Sequence, residues 1–458
     1  MTLHRLTLCL MAAAGLAAPG AARAQAFGLN EIGTCALARG FTGTGAPCRD
    51  ASVLYWNPAG GTTLPGLSVY AGAAAVSLDG DFTADFTGRE ENADIPTEVP
   101  PHAFVNYARN RLALGVGVYV PYGLTSQWED DFTGRFAAQR ASLATIYVQP
   151  TVAYEVVPGR VSVGGGPVIG HSSVELRQAL DLSTARTPAG ITFGQLGIAP
   201  GTEFGRASLE GDAWGLGFHV GFHMRASENL QLGARYLTEV KFAYDDAEAR
   251  FTQTPTNLVV NSNVQAPFLA GVPIDQLLAG QFTGSGALTQ QQVSTEIDHP
   301  FQFAVGLGYT GLANTTLALD YELFGWNAFA TLPVNFERAP DRSLIENYGN
   351  GWAIRTGVEY LLLGALAARA GFSFAKTPAP AATVTPLLPD QDRYNYSVGL
   401  GIPLGRFGVD LGYLIVDTKG RRGRIVERSS ESQTAAQLNS GFYRLNANVF
   451  SASLKAQF

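Results

Sequence analysis

The sequence predicts an all-β protein: a 14-stranded antiparallel transmembrane β-barrel with a small N-terminal hatch plugging its lumen. Three observations predict it. Apolar residues alternate with small or polar ones over long stretches, tight connections alternate with long ones, and no apolar run beyond the chain's start could span a bilayer as a helix. The last point matters because hydrophobic residues make up 46% of the chain and charged residues only 15%. A chain that is apolar overall but never continuously so can turn one face to lipid and the other to water.

The chain opens "MTLHRLTLCLMAAAGLAAPGAARAQA", with Arg5 ahead of an apolar run from Leu6 to Ala18 and a small-residue ending at Ala22-Arg23-Ala24. That pattern reads as a secretory signal peptide over residues 1–24, cut before Gln25. Losing Arg5 and Arg23 makes the exported chain more acidic than its formal charge of −7, which argues against nucleic acid as a partner. After cleavage only Cys35 and Cys48 remain, and in an oxidising compartment their bland reading is one local disulfide. With no histidine between them they make a poor zinc site.

The period-2 pattern starts at residue 67. In "RLALGVGVYV", Leu112, Leu114, Val116, Val118 and Val120 share one face, with Ala113, Gly115, Gly117 and Tyr119 opposite. "WGLGFHVGFHM" sets Leu216, Phe218, Val220, Phe222 and Met224 against Gly217, His219, Gly221 and His223. "LQLGARYLTEVKF" places Arg235, Glu239 and Lys241 together, behind Leu232, Ala234, Tyr236 and Val240. Candidate strands fall at 67–78, 101–109, 111–121, 143–157, 159–171, 213–226, 228–244, 298–311, 313–326, 350–361, 364–376, 392–404, 405–419 and 441–458. Tight turns are expected at Asn110, Pro158-Gly159, 226–229, 311–314, 362–364 and Leu404-Gly405, with long loops elsewhere.

An even strand count with short turns at one end and long loops at the other is the pattern of an outer-membrane barrel, here residues 65–458 with both termini in the periplasm. A propeller or solenoid would show a fixed repeat, and none is visible. Phe458 ends an amphipathic last strand with an aromatic residue, the ending that barrel assembly machinery reads. Residues 25–64 lack alternation, are dense in Gly and turn formers, and have the length of a small hatch. Within them "VLYWNPAGG" supplies Asn57, Pro58 and Ala59 as a turn before two glycines, with Tyr55 and Trp56 free to anchor on the wall.

Enzyme chemistry needs a nucleophile and base, or a metal cluster, on one face. The histidines offer neither: His219 and His223 sit on a strand, two pleats apart, and no cofactor-binding loop opens a helix after a strand. The repeated "GVGV", "GLGF", "GLGY" and "GLGI" read as lumen-facing glycines that let a plug or neighbouring backbone approach. Segments 178–210 and 253–297 stand out as long loops carrying Phe193, Leu196, Ile198, Phe268, Leu269, Ile274, Leu277, Leu278 and Phe282. Such side chains must pack on each other or hold a greasy ligand.

"QAFGLNEIG" and "ARGFTGTGAPCRDASVLYWNPAG" resemble the N-terminal hatch of the long-chain fatty acid transporter family, FadL, which includes channels for aromatic hydrocarbons. "PYGL", "GDAWGLGFHVGF", "RYLTEVKFAY" and "TPAPAATVTPLLPDQDRYNYSVGLG" extend the resemblance along the chain in order. It implies a fourteen-stranded barrel that collects hydrophobic substrate in a groove between extracellular loops and passes it to a pocket at the hatch's first residues. Release then follows hatch rearrangement, through a lateral gap where the third strand kinks. Phe27 matches the hatch tip, Asn57, Pro58 and Ala59 the hatch motif, and Gly123 the kink glycine beside Pro121, which cannot donate to the ladder. Arg177 matches a basic residue facing the substrate carboxylate, whereas a second basic position is Pro333, which leaves room for neutral hydrocarbons. The expected function is passive uptake of fatty acids or other hydrophobic compounds across the outer membrane; an aqueous porin or a surface adhesin is the alternative.

Overall fold

The computed structural model describes residues 26–458 apart from 86, 187–189, 196, 261–269, 364 and 424–439. The expected signal peptide therefore lies outside the described residues, as do Leu196, Phe268 and Leu269.

In chain order the strands are β1 (Gly66–Ala84), β2 (Glu90–Asn92), β3 (Pro101–Arg109), β4 (Leu112–Gln127), β5 (Arg140–Val157), β6 (Val161–Asp181) and β7 (Glu203–Arg225). They continue as β8 (Leu230–Leu237), β9 (Val240–Gln253), β10 (Gln291–His299), β11 (Gln302–Leu312), β12 (Thr315–Phe324), β13 (Thr331–Phe336) and β14 (Arg342–Ile345). The last are β15 (Gly351–Leu362), β16 (Leu366–Lys376), β17 (Arg393–Leu404), β18 (Phe407–Thr418), β19 (Arg421–Gly423) and β20 (Gly441–Gln457). Short strands β2, β13, β14 and β19 decorate the long-loop end, and β8 with β9, and β10 with β11, each form one crossing. That leaves 14 antiparallel passes, closed where Ser68–Ala84 of β1 pairs with Gly441–Gln457 of β20. Phe458 completes the seam, exchanging backbone hydrogen bonds of 2.8 and 2.9 Å with Leu67.

The alternation read from sequence sets the two faces. Strand β3 is buried and exposed at strictly alternate residues, with Val105 and Tyr107 outward and Phe104 and Asn106 inward. Outward side chains are apolar, as a lipid-facing wall requires, and the lumen collects the polar set, including Gln149, His219, Arg235, Asp320, Glu322 and Arg355. Tight turns at the short-turn end use left-handed backbone at Asn110, Gly159, Asn314, Leu363 and Gly405.

One expected strand is corrected. The segment 228–244 is not continuous: the chain breaks at Thr238-Glu239, and its side-chain parity flips there. Arg235 points into the lumen, but Val240, Phe242 and Tyr244 then turn inward and Lys241 outward, so Arg235, Glu239 and Lys241 do not share a face. The matching break in the neighbouring crossing falls at Pro300, which has no N–H to give the ladder. Residues 178–181 and 203–210, expected as loop, instead prolong β6 and β7, pairing Arg177 with Ser208 and Leu180 with Gly205.

The N-terminal segment fills the lumen. A short helix, Thr34–Ala38, a second, Val53–Trp56, and a 3₁₀ turn, Pro58–Thr63, are buried almost throughout. They touch strands right around the wall because the wall is bare of side chains where hatch backbone meets it. A Cβ on Gly233 would lie 1.8 Å from the Thr44 carbonyl oxygen, and one on Gly371 would lie 2.0 Å from the Gly40 nitrogen. Replacing Gly233 with Val should therefore unseat the hatch while leaving the lipid-facing wall intact. We expect large, steady ionic currents from G233V in planar bilayers and small ones from the parent; equal currents would show that the hatch does not depend on this contact.

Candidate functional site

Three features meet inside the barrel: an outer cavity, an aromatic cage around the hatch tip, and a defect in β4.

The outer cavity, about 160 Å³, opens among β6, β7, β9 and the β13–β14 hairpin. Leu176, Leu180, Leu209, Phe251, Val334, Phe336 and Leu344 give it apolar walls, and Arg140, Arg177 and Arg342 give it cationic ones. Arg140 and Arg177 share Glu175, at 2.9 and 2.6 Å, so one carboxylate lies between two guanidiniums and balances the charge of only one. Arg342 is exposed and forms no salt bridge among the described residues. An adjoining polar cavity of about 420 Å³ shares Arg140 and Arg177 and adds Arg206 and Arg250. The arrangement suits an amphiphile with an apolar tail and an anionic head.

The greasy loop residues named from sequence lie elsewhere. Phe193, Ile198, Ile274, Leu278 and Phe282 pack with Leu182, Phe204 and Val260 into a separate small core under the long loops, and Leu277 stays at the surface. Asp275, in the loop helix Ile274–Ala279, ties this core down by accepting from Thr256 N, Thr256 Oγ1 and Asn257 N at 2.9, 2.7 and 3.1 Å. Partial burial alone would raise its carboxyl pKa, but these hydrogen bonds outweigh it and hold it below the usual range. The loops are thus self-supporting, and they meet the cavity at Leu180, Ala207, Phe251 and Leu288.

The hatch tip sits deeper. Phe27 is 3% exposed and is surrounded edge-on by Trp326 at 4.5 Å, Phe329 at 5.4 Å, His299 at 5.8 Å and Tyr122 at 6.1 Å. Tyr147 and Phe242 extend the cage through His299. Arg393, from the Pro-Asp-x-Asp-Arg stretch, steadies the tip by donating to the Ala26 carbonyl at 2.6 Å and pairing with Asp390 at 3.1 Å.

The β4 defect adjoins this tip. Pairing of β4 with β3 stops at Val118, and its register with β5 slips between Tyr119 and Tyr122, around Pro121. Past that point the hatch replaces the missing neighbour. Leu29 N donates to Pro121 O at 2.8 Å and Gly123 N donates to Phe27 O at 3.0 Å. Residues 93–100 run along β1 on the far side of this gap, bonded to it where Val76 pairs with Glu98.

Below the tip, the hatch rests on buried charge. Glu322 of β12 binds Arg235 of β8 and, at 2.5 Å, Arg355 of β15, all three being essentially inaccessible. Arg355 donates to Asn30 Oδ1 at 3.1 Å, and Asp320 accepts Gly43 N and Thr44 N at 2.9 and 2.8 Å. Tyr55 and Trp56 cover Arg235 with ring centroids 5.0 and 5.8 Å away. Asn57 Nδ2 donates to the carbonyls of Thr44 (2.8 Å) and Phe222 (2.9 Å), while Pro58 meets Gly164 and Gly221 and Ala59 is wholly buried. Cys35 and Cys48 are joined as a disulfide within the hatch, so their sulfurs are not free to hold a metal beside Asp50. His219 and His223 take separate partners, Gln149 and Gln231.

Sequence reasoning missed Trp326 and Phe329, present in plain view in "FGWNAF", and missed Arg342. The missing cation at Pro333 was a signal, because β13 pairs with β14 so that Val334 faces Arg342.

A closed barrel with an interior plug and an apolar cavity beside it is the architecture of an outer-membrane transport protein. The sequence model of the outer membrane protein transport protein family (OMPP1/FadL/TodX) matches residues 15–458, and the chain belongs to that family, which comprises transport proteins rather than enzymes. It is 26% identical over 393 residues to the long-chain fatty acid transport protein of Escherichia coli O6:H1, covering 82% of each chain. It is 24% identical to outer membrane protein P1 of Haemophilus influenzae, covering 98% of each. The fold superposes on a Pseudomonas aeruginosa FadL homologue with a TM-score of 0.79 at 20% identity, covering 95% of this chain and 100% of the other. The Pseudomonas putida toluene transporter TodX gives 0.67 at 15% identity, covering 95% and 99%.

Glu322 supplies the test of the hatch seat. Glu322→Gln leaves two buried guanidiniums without their shared anion, a loss of about 3–5 kcal/mol. The variant should show a lower melting temperature in detergent together with raised bilayer conductance. Parental values for both would mean that this network does not hold the hatch.

Proposed function

We propose that the protein is a passive conduit for amphipathic hydrophobic molecules, long-chain fatty acids foremost, entering from outside the cell. The observation that carries this reading is continuity. Leu209 and Val334, in the cavity wall, belong to the same packed apolar cluster as Phe27, Tyr122 and Trp326, and Tyr122 stands at the β4 defect.

In this mechanism the molecule's tail enters the apolar cavity while its carboxylate meets Arg342 and Arg177. It then moves into the cage by displacing Phe27. Displacing the tip also breaks the Leu29–Pro121 and Gly123–Phe27 hydrogen bonds, which uncovers the defect. The molecule leaves sideways into the bilayer and never has to cross a water-filled lumen. The concentration gradient of the molecule itself drives transport. In this orientation the long loops face outward and the short turns and both termini lie in the periplasm, where Phe458 would have been read by the assembly machinery. Glu175 neutralises only one of the three cavity arginines, and that imbalance favours acids over neutral hydrocarbons.

Two measurements test the reading. Arg342→Gln should weaken binding of a long-chain carboxylate by roughly tenfold or more, the worth of one charged hydrogen bond, and leave the matching alcohol unchanged. Equal affinity for the acid in both proteins would remove the headgroup site. Separately, Pro121→Val should restore regular β4 pairing and lower hydrophobic uptake in cells carrying equal amounts of inserted barrel; unaltered uptake would rule out the lateral exit.

A further inference from the structure

The short-turn end carries a charge pattern that the transport path does not use. Arg109 and Arg111 flank the tip of the β3–β4 turn, Arg160 is the last residue of the β5–β6 turn, and Arg225 precedes the β7–β8 turn. These turns are neighbours in space: Glu155 N donates to Arg111 O at 2.8 Å, and Arg225 N donates to Arg160 O at 2.7 Å. Arg160 and Arg225 are thus like charges side by side on adjacent strands, an arrangement that costs stability unless an anion lies between them. None of the four arginines forms a salt bridge among the described residues; Arg111 and Arg225 donate to backbone carbonyls, and Arg111 also lies over the Tyr154 ring at 4.9 Å. Two carboxylates share the arc. Glu155 is occupied by Gly159 N at 2.7 Å, and Glu228 sits exposed in the third turn.

Directly beyond the arginines the outer wall becomes apolar. Leu112, Leu114, Val152 and Val163 are exposed there, with Tyr107 and Tyr154 at the border. An aromatic border marks the headgroup level of the bilayer, so the guanidiniums lie where lipid phosphates lie. We propose that these three turns bind the headgroups of anionic phospholipids in the leaflet they face. Charge complementarity selects the occupant, since unpaired guanidiniums match phosphate oxygens and the wall beyond them accepts acyl chains. The leaflet assignment rests on the orientation proposed above, with short turns in the periplasm.

The test uses the full-length protein in nanodiscs containing phosphatidylethanolamine in excess over phosphatidylglycerol. Lipid retained after partial delipidation is counted by native mass spectrometry. The parent should hold phosphatidylglycerol in preference to phosphatidylethanolamine by about fivefold or more, the value of one engaged arginine near an anionic surface. Combined replacement of Arg109, Arg111, Arg160 and Arg225 by Gln should abolish that preference. Arg406→Gln, in a turn outside the arc, should keep it. The corresponding lysine variant should keep most of it, which separates charge from folding. No preference in the parent, or an unchanged preference in the glutamine variant, would overturn the proposal. So would retention of an acidic periplasmic protein, lost with the arginines while lipid content stayed constant. Failure of the transport reading is distinguishable. Loss of hydrophobic-ligand binding would appear in the parent, whereas labelling of Ser227→Cys by an impermeant maleimide in intact cells would reverse the orientation alone.

Discussion

The interior depends on Glu322 and the two arginines it joins. Burying three charges would be prohibitive if any lacked a partner; here each guanidinium faces the Glu322 carboxylate, and the positive charge left over must find partners elsewhere. The hatch supplies the missing pieces: Asn30 for Arg355, aromatic faces for both guanidiniums, and backbone N–H groups for Asp320. A lumen without the hatch would fill with water, which solvates the same groups well. The seat is therefore specific in geometry without being deep in energy, which suits the displacement proposed above.

The tip adds a second dependence. A membrane wall cannot leave backbone groups unpaired, and β4 would do so beyond Pro121. Phe27 and Leu29 satisfy those groups from inside the barrel, so the residues that occupy the cage are the residues that mend the wall. In the proposed route, site occupancy and wall integrity are coupled through two hydrogen bonds, with no separate relay between them.

Much of this was legible in the sequence, and the reasons are physical. The strand count and turn positions followed from period-2 alternation and left-handed turn residues, signals that are local and strong. The lumen glycines were legible as places for close approach, and Gly233 and Gly371 are such places. What the sequence hid were effects of register. The break at Thr238-Glu239 moves Val240 inward and Lys241 outward, and one slipped residue inverts a face. The loop residues were recognisable as needing apolar company, yet whether they hold a ligand or one another depends on three-dimensional packing, and Phe193, Ile274 and Leu278 hold one another. Arg342 was hidden because its nearness to the cavity depends on the β13–β14 hairpin docking against β10, which periodicity does not report.

The short link between hatch and barrel has a kinetic consequence. Leu64 is still buried, Gly66 begins β1, and Gly66 turns with φ of 79° directly against the carbonyl of Phe458, so about one residue joins plug to wall. A hatch shifted from its seat remains tethered at the seam between the first and last strands. Its return is a unimolecular event governed by an effective concentration on the order of millimolar or above. In the mechanism proposed above, how long the conduit stays open is then set by how long an occupant holds the tip aside, rather than by any search of the plug for its seat.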